Sequence, residues 1–179
     1  MFLIYGPAGA GKSTQGQILA DKIGRKWLSA GQIIRDSHRF DDFTAAGAMI
    51  DEKILVELIR DEVNKAENEE GVGVVFDGQP GTVEQVSYLK EAGLLDNVEA
   101  IAILRVPKDE LIRRLSSRGR DDDNEEVCHK KIEYFEEAGK PFFAELKKQG
   151  LNVVDVDGTG SKEEVAERLY ELSKKVVQK

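Results

Sequence analysis

The sequence is poor in the side chains from which disulfides and zinc sites are built. It contains one cysteine, Cys128, and two histidines. A single cysteine excludes an internal disulfide, and so few nitrogen and sulfur ligands exclude a structural zinc site. This usage is typical of a protein from a reducing compartment.

Long hydrophobic runs are also missing. The first apolar run, MFLIY, is followed at once by Gly6 and Pro7, so it is too short for a signal peptide or a membrane-spanning helix. We therefore expect a cytoplasmic protein with no membrane partner. Lysine and arginine number 26 against 34 acidic residues, and the net charge of -8 would repel a phosphate backbone on average, so we also expect no nucleic-acid partner.

The overall amino-acid composition is typical of a globular protein. Hydrophobic residues make up 40% and charged residues 34% of the 179 residues, with only 4 prolines, so a single folded domain with one hydrophobic core is expected. Short apolar runs alternate with longer amphipathic stretches, a rhythm typical of β-strands followed by helices. The runs are MFLIY, KWLS, VGVVFD (72–77), VEAIAILRV (98–106) and LNVVDV (151–156). Because several of them are apolar throughout, we predict an α/β sandwich with a mostly parallel sheet of about five strands.

The most specific motif is GPAGAGKST, residues 6–14, placed between the first predicted strand and the first predicted helix. Its glycines let backbone N–H groups point inward at phosphate oxygens, and the helix N-terminus adds partial positive charge. Lys12 would reach the β- and γ-phosphates, and Ser13 or Thr14 would supply a hydroxyl on the magnesium side. The motif predicts a phosphate-binding loop for a nucleoside triphosphate.

Three further features bear on a site. Asp77 ends VGVVFD at the carboxyl edge of the predicted sheet, where an aspartate can hold magnesium through water. Residues 118–126, RGRDDDNEE, set two arginines against five acids. By itself that run is typical of a solvated helix start, since acidic residues are favourable at a helix N-terminus. Trp27, in KWLS, is expected to be a packing residue rather than a platform for a base.

Five motifs in order give the chain a family resemblance. They are GPAGAGKSTQ, LSAGQIIR (28–35), DGQPGTVEQ (77–85), RRLSSRGRDD (113–122) and DGTGS (157–161). Their order and spacing resemble those of nucleoside monophosphate kinases, and the chain resembles a compact adenylate kinase over nearly its whole length. The resemblance implies a three-layer α/β/α P-loop domain over residues 1–179. Residues 36–66 would then bind the acceptor, and residues 118–122 would be a mobile lid reduced to a remnant.

The resemblance also implies the chemistry: transfer of the γ-phosphoryl group of ATP to AMP with Mg²⁺, by a monomer. Its implied catalytic residues are Lys12, Arg114, Arg118, Arg120 and Lys131. Its implied donor-binding residues are Gly6, Ala8, Gly9, Ala10, Gly11, Lys12, Ser13, Thr14, Arg114, Gly158 and Thr159. Its implied acceptor-binding residues are Ala30, Arg35, Ile50, Gly78 and Gln85, and the metal would be held by Ser13 and, through water, by Asp77.

The sequence departs from the family pattern around the acceptor. Gly81 stands where relatives carry a phosphate-clamping arginine, Gln79 replaces an aromatic residue, Gln32 a frequent aspartate, and Lys131 an arginine. These departures leave open the alternative that the protein binds nucleotides but no longer transfers a phosphoryl group. Ala30 in the SAG motif is familiar from pyrimidine nucleotide kinases, which leaves UMP or CMP open as acceptor, whereas the Gln85 amide favours adenine because it can make two directed hydrogen bonds to a base edge.

Overall fold

The structure is a computed structural model that describes residues 1–37, 51–78, 81–118 and 125–177. Its strands are β1 (Phe2–Tyr5), β2 (Lys26–Ser29), β3 (Val74–Gly78), β4 (Ala100–Arg105) and β5 (Val153–Asp157). The helices are α1 (Lys12–Ile23), α2 (Ala30–Asp36), α3 (Glu52–Asn64) with a π-helical turn (Lys65–Glu69), α4 (Val83–Glu91), α5 (Lys108–Arg118), α6 (Glu125–Lys148) and α7 (Lys162–Val177).

The five strands form one sheet in the order β2-β3-β1-β4-β5, and every pair is parallel. Parallel pairing requires a crossover between sequential strands, and the helices supply it. Most strand positions are buried, as expected for a sheet covered on both faces. The predicted parallel α/β sandwich is confirmed, although several strands start one or two residues later than the apolar runs do.

Two hydrophobic clusters make the sheet the middle of three layers. Along β1 successive side chains point to opposite faces: Leu3 and Tyr5 belong to one cluster, while Phe2 and Ile4 belong to the other. The first cluster packs residues of α3, α4 and α6 against the sheet, and the second packs residues of α1, α5 and α7. The carboxyl ends of the strands are thereby fixed as one edge, from which the loops that carry the site emerge.

Local chemistry sets several helix ends. Asp51 caps α3, since its Oδ1 accepts from the backbone N–H groups of Lys53 at 2.9 Å and Ile54 at 3.3 Å. Ser161 and Glu164 form a reciprocal capping box at the start of α7, with bonds of 2.8 and 3.2 Å.

No helix among the described residues is long and apolar enough to cross a membrane.

Candidate active site

Residues 6–11 connect the end of β1 to the start of α1, and residues 12–14 are the first residues of that helix. Gly9 and Gly11 have φ angles of 83° and 90°, a backbone region that residues with a Cβ rarely adopt. The Lys12 ammonium folds back over the loop, where Nζ donates to the carbonyl oxygens of Gly6 at 2.7 Å and Pro7 at 3.0 Å. A positive charge is therefore held beside the first backbone N–H groups of α1, the arrangement that binds phosphate.

The other predicted loop residues differ in exposure. Ala10 is buried in the second hydrophobic cluster, which packs α1 against the sheet. Ala8 is partly buried and packs against the same cluster. Ser13 and Thr14 belong to the first turn of α1 and are exposed. The Ser13 side chain also hydrogen-bonds to Asp77, so it lies between the phosphate loop and the end of β3.

Asp77, the residue before the last of β3, is almost completely buried, at 3% exposure. Burial raises the pKa of the Asp77 carboxyl above its ordinary value, and hydrogen bonds from Trp27, Ser29 and Ser13 and the charge of Lys12 oppose that rise. Trp27 Nε1 donates to Oδ2 at 2.7 Å, and Ser29 Oγ donates to Oδ1 at 3.1 Å. A cation placed here would favour the ionised carboxylate further.

The donor set of this corner fits a magnesium ion bound together with nucleotide phosphates. Mg²⁺ takes oxygen ligands, keeps several waters, and is bound by one or two carboxylates plus substrate phosphates rather than by an all-protein cage. The ranges that the structure describes contain no group of three His, Cys, Asp or Glu able to hold a metal alone. One buried carboxylate on Asp77 and one hydroxyl on Ser13 are what such a shared site requires of the protein.

The predicted donor-binding residues join α5 to the loop after β5, called the donor loop below. The Arg114 guanidinium donates from Nη2 to the Gly158 carbonyl oxygen at 3.2 Å and from Nε to Glu110 Oε1 at 2.7 Å. Asp157 Oδ1 accepts from both the backbone N–H and the hydroxyl of Thr159, at 2.9 and 2.7 Å. Three of the predicted donor-binding residues, Arg114, Gly158 and Thr159, are thus brought together.

A cavity of about 610 Å³ opens beside this loop. Pro7 of the phosphate loop and Thr159 of the donor loop both line it, and Val106 and Phe135 supply part of its apolar wall. Its size lies within the range of pockets that bind small molecules. It places apolar surface next to the charged phosphate end of the site.

Two of the predicted acceptor-binding residues, Ala30 and Gly78, lie at the ends of β2 and β3. Ala30 follows β2 directly, and its Cβ lies 3.8 Å from where a Cβ on Gly78 would stand, so these two small residues meet at the sheet edge. Arg35 lies in α2 and is exposed, with its Nη2 donating to Gln32 Oε1 at 2.7 Å. Gln32 in turn donates to Asp36 at 2.6 Å, which ties the predicted phosphate-gripping arginine into a polar chain along α2.

Gln85 is buried and its side chain occupies the space above Gly81. A Cβ on Gly81 would stand only 1.9 Å from Gln85 Oε1, so only a glycine admits this position of the amide. The Gln85 N–H donates to Thr82 Oγ1 at 3.2 Å, but the Thr82 N–H donates to Glu52 Oε1 at 3.1 Å. The capping box that the Thr82–Gln85 spacing suggests is therefore completed by a residue of α3.

Some predicted site residues are not tested by these contacts. Ile50 and Arg120 lie outside the described residues, as does the Arg118 side chain, although Arg118 ends α5. Lys131 lies near the start of α6. Their roles remain predictions from the resemblance.

Two residues of the site were missed from the sequence. Trp27 packs against the second hydrophobic cluster, as expected, but its indole N–H also donates a hydrogen bond to Asp77. The sequence signal for this contact is Gly16, because a glycine inside a predicted helix has a packing or functional reason. Glu110 could have been found from its spacing, because a carboxylate four residues before Arg114 on a helix lies beside it.

The fold and the site define a nucleotide-binding α/β protein with a phosphate loop. The sequence model of the family described as adenylate kinase matches residues 4–151. Among curated proteins, an adenylate kinase of Thermus thermophilus is 34% identical over 93% of each chain. Adenylate kinases of Nocardia farcinica and of a Synechococcus species are 31% and 30% identical, over 93% and 95% of this chain and 94% and 96% of their own. The chain belongs to the adenylate kinase family.

Proposed function

We propose that this protein transfers the γ-phosphoryl group of ATP to AMP in a magnesium-dependent reaction that yields two molecules of ADP. The observation that carries the proposal is the corner formed by Lys12, Ser13 and Asp77. It sets a cation, a hydroxyl and a buried carboxylate around the N-terminus of α1. The Arg114–Gly158 contact supports it, because it adds a guanidinium and a backbone loop on the side of the predicted donor base.

The reaction needs positioning and charge neutralisation more than covalent chemistry. An oxygen of the AMP phosphate attacks the γ-phosphorus, a new P–O bond forms there, and the bond to the β–γ bridging oxygen breaks. The attacking oxygen is already ionised near neutral pH, so no protein base is required. Lys12 would stabilise charge on the β- and γ-phosphates, and magnesium, when bound, would neutralise the charge that develops between them.

The proposed roles follow the site. The loop from Gly6 to Thr14 would bind the donor phosphates, and Arg114 with Gly158 and Thr159 would bind the rest of the donor. Arg35 would grip the acceptor phosphate. Arg118, Arg120 and Lys131 would surround the transferred group, with residues 118–122 as a shortened lid and residues 36–66 as the acceptor segment of a single domain.

UMP or CMP is the alternative acceptor that one observation favours. Ala30 and Gly78 are two small residues that meet at the sheet edge where the acceptor would enter, and the alanine side chain makes no directed hydrogen bond to a base. Gln85 argues for adenine, but its amide is folded over Gly81 and would have to turn toward the acceptor. A protein that binds nucleotides without transferring phosphate is the second alternative, supported by the absence of a charged side chain at Gly81.

The test is ADP formation from ATP and Mg²⁺ with AMP, CMP, UMP or GMP, with free phosphate counted in parallel. The proposal expects rapid ADP formation with AMP and little with the other three. Faster turnover with UMP or CMP would establish the pyrimidine alternative. Tight ATP binding with no ADP from any acceptor would establish the binding protein, and phosphate without transfer would show that water reaches the open site.

We further propose that the enzyme acts as a cytoplasmic monomer. Support comes from its single cysteine and its net charge of -8, which opposes self-association. Light scattering coupled to gel filtration at several concentrations tests the monomer. A mass that rises to twice 19.9 kDa would contradict it.

A further inference from the structure

The indole of Trp27 crosses from β2 to the acidic residue of β3. In the parallel pair β2–β3, Ser29 is the register partner of Asp77, and Trp27 lies two residues before Ser29 on the same face of the sheet. Its Nε1 reaches Asp77 Oδ2 at 2.7 Å, while Ser29 Oγ reaches Oδ1 at 3.1 Å. Each oxygen of the buried carboxylate is therefore held by its own donor, which fixes the plane of the group.

Helix α1 is shaped to admit that indole. Gly16 is buried in α1 and faces the ring: a Cβ there would stand 2.7 Å from both Cδ1 and Nε1 of Trp27 and 3.7 Å from Asp77 Oδ2. These indole atoms belong to a rigid ring that already bonds to Asp77, so they cannot yield without breaking that bond. Glycine weakens a helix interior, and its place here is explained by the space the ring needs.

The three donors to Asp77 do not use all the acceptor capacity of its carboxylate. An ionised carboxylate has about four lone-pair sites, and Trp27, Ser29 and Ser13 each take one. Ser13, at the first turn of α1, approaches from the phosphate loop. Because Ser13 begins the helix after the phosphate loop, the Asp77 carboxylate lies beside that loop, where its remaining lone pair would accept from a magnesium-bound water.

We propose that Trp27, admitted by Gly16, is a positioning residue that holds Asp77 toward a divalent cation carried by a nucleoside di- or triphosphate. This rests on the proposed function, in which Asp77 faces that cation. Trp27 does not touch the reacting atoms. It acts through the carboxylate, by the same logic that makes hydrogen bonds to a metal ligand important for metal affinity.

The first test compares ADP binding with Mg²⁺ and with a chelator, by calorimetry, in wild type and Trp27→Phe. Phenylalanine keeps an aromatic ring and removes the N–H. The strengthening of ADP binding by Mg²⁺ should fall about tenfold, as for one lost hydrogen bond to a charged group, while binding of metal-free ADP stays nearly constant. Trp27→His keeps a ring N–H and should restore part of the loss. Equal loss with and without Mg²⁺, or no loss at all, would overturn the proposal.

The second test uses the fact that Trp27 is the only tryptophan in the chain. Its fluorescence therefore comes from this one position beside Asp77, and adding MgADP to wild type should change it more than adding ADP with chelator. Gly16→Ala should displace the indole, shift the emission of the free protein and reduce the response to MgADP. If Trp27→Phe does not fold, the Gly16→Ala variant tests the proposal in its place. An emission spectrum and a response to MgADP equal to those of wild type would show that Gly16 does not set the position of the indole, and the proposal would be overturned.

Neither test depends on phosphoryl transfer. If wild type binds MgADP but transfers nothing to any nucleoside monophosphate, the proposed function fails and the role of Trp27 can still be measured. If wild type binds ADP equally well with Mg²⁺ and with chelator, Asp77 does not face a cation and this inference is overturned. ADP formation by the same preparation then shows separately whether the transfer reaction stands.

Discussion

Arg114 donates to the carbonyl oxygen of Gly158 at 3.2 Å and so ties helix α5 to the loop after β5. Its neighbour Arg113 binds the same carboxylate as Arg114, since both guanidinium groups reach Glu110 at 2.7 Å. Arg113 is 72% exposed and Arg114 only 25%. The helix therefore offers two arginines with a common partner, of which Arg114 reaches the donor loop.

Arg114→Gln should raise the KM for ATP by about tenfold or more, because a hydrogen bond from a charged group is typically worth about 1.5–3 kcal/mol. Arg113→Gln is the matched control, since it loses the same Glu110 contact at the surface and should leave the KM for ATP nearly unchanged. Steady-state kinetics with saturating AMP measures both. Equal effects from the two variants would mean that the KM for ATP depends on the ion pair between Arg114 and Glu110 and not on the contact between Arg114 and the donor loop.

The carboxyl of Glu110 provides a pH prediction. Hydrogen bonds from Arg113 and then Arg114 lower the pKa of Glu110 from 4.5 to about 2. Since the folded-state pKa lies below the ordinary value, its contribution to stability is complete above pH 4.5 and is lost as the pH falls from there toward 2. Carboxyl-detected NMR titration should place the Glu110 pKa well below that of other exposed glutamates. A pKa near 4.5 that Arg113→Gln and Arg114→Gln leave unchanged would contradict the two contacts.

Lys12→Ala should lower kcat by at least about a hundredfold, as for removal of one preorganised group that stabilises charge in the transition state. The chain should still fold, because the two hydrogen bonds that Lys12 donates to carbonyl oxygens stay within its own loop. Lys22→Ala is the control on the same helix, where Lys22 pairs with Glu167 at the surface. Near-normal turnover by Lys12→Ala, with thermal unfolding like that of wild type, would refute the phosphate-loop assignment.

The elements of the sheet were predictable because each depends on local pattern. Apolar runs indicate the buried parallel strands, and the phosphate-loop motif predicts a strand before it and a helix after it. Ends were less accurate: the run VEAIAILRV spans 98–106 whereas β4 is Ala100–Arg105, because flanking valines are apolar without pairing in the sheet. Asp77 was placed correctly at the carboxyl edge because a strand's direction follows from chain order in a parallel sheet.

The contacts between distant residues were not predictable in the same way. That Trp27 bonds to Asp77 depends on β2 pairing with β3 in one register, and a shift by one residue would turn the indole to the other face. That Glu52 replaces Gln85 in capping α4 depends on how α3 lies against it. Periodicity gives the face of an element but not its neighbour, so such pairs appear only in the folded chain.

Gly81 is where the departure from the family can be reversed and measured. Gly81→Arg should raise kcat/KM for AMP by about tenfold or more, since a guanidinium can clamp a phosphate with two charge-assisted hydrogen bonds. Any Cβ at this position would also stand 1.9 Å from Gln85 Oε1 and push the amide away from the loop. Because the amide is the far end of a flexible side chain, it can turn aside without disturbing the capping of α4 by Thr82.

Gly81→Ala separates the two effects, because it displaces the Gln85 amide and adds no charge. If the guanidinium is what the acceptor site lacks, Gly81→Arg gains activity and Gly81→Ala does not. If Gly81→Ala gains as much, the folded-back amide was the obstacle and release of Gln85 toward the acceptor accounts for the improvement. No gain from either variant, with AMP still bound, would show that the acceptor phosphate is already clamped by other cations, for which Arg35 is the first candidate to substitute.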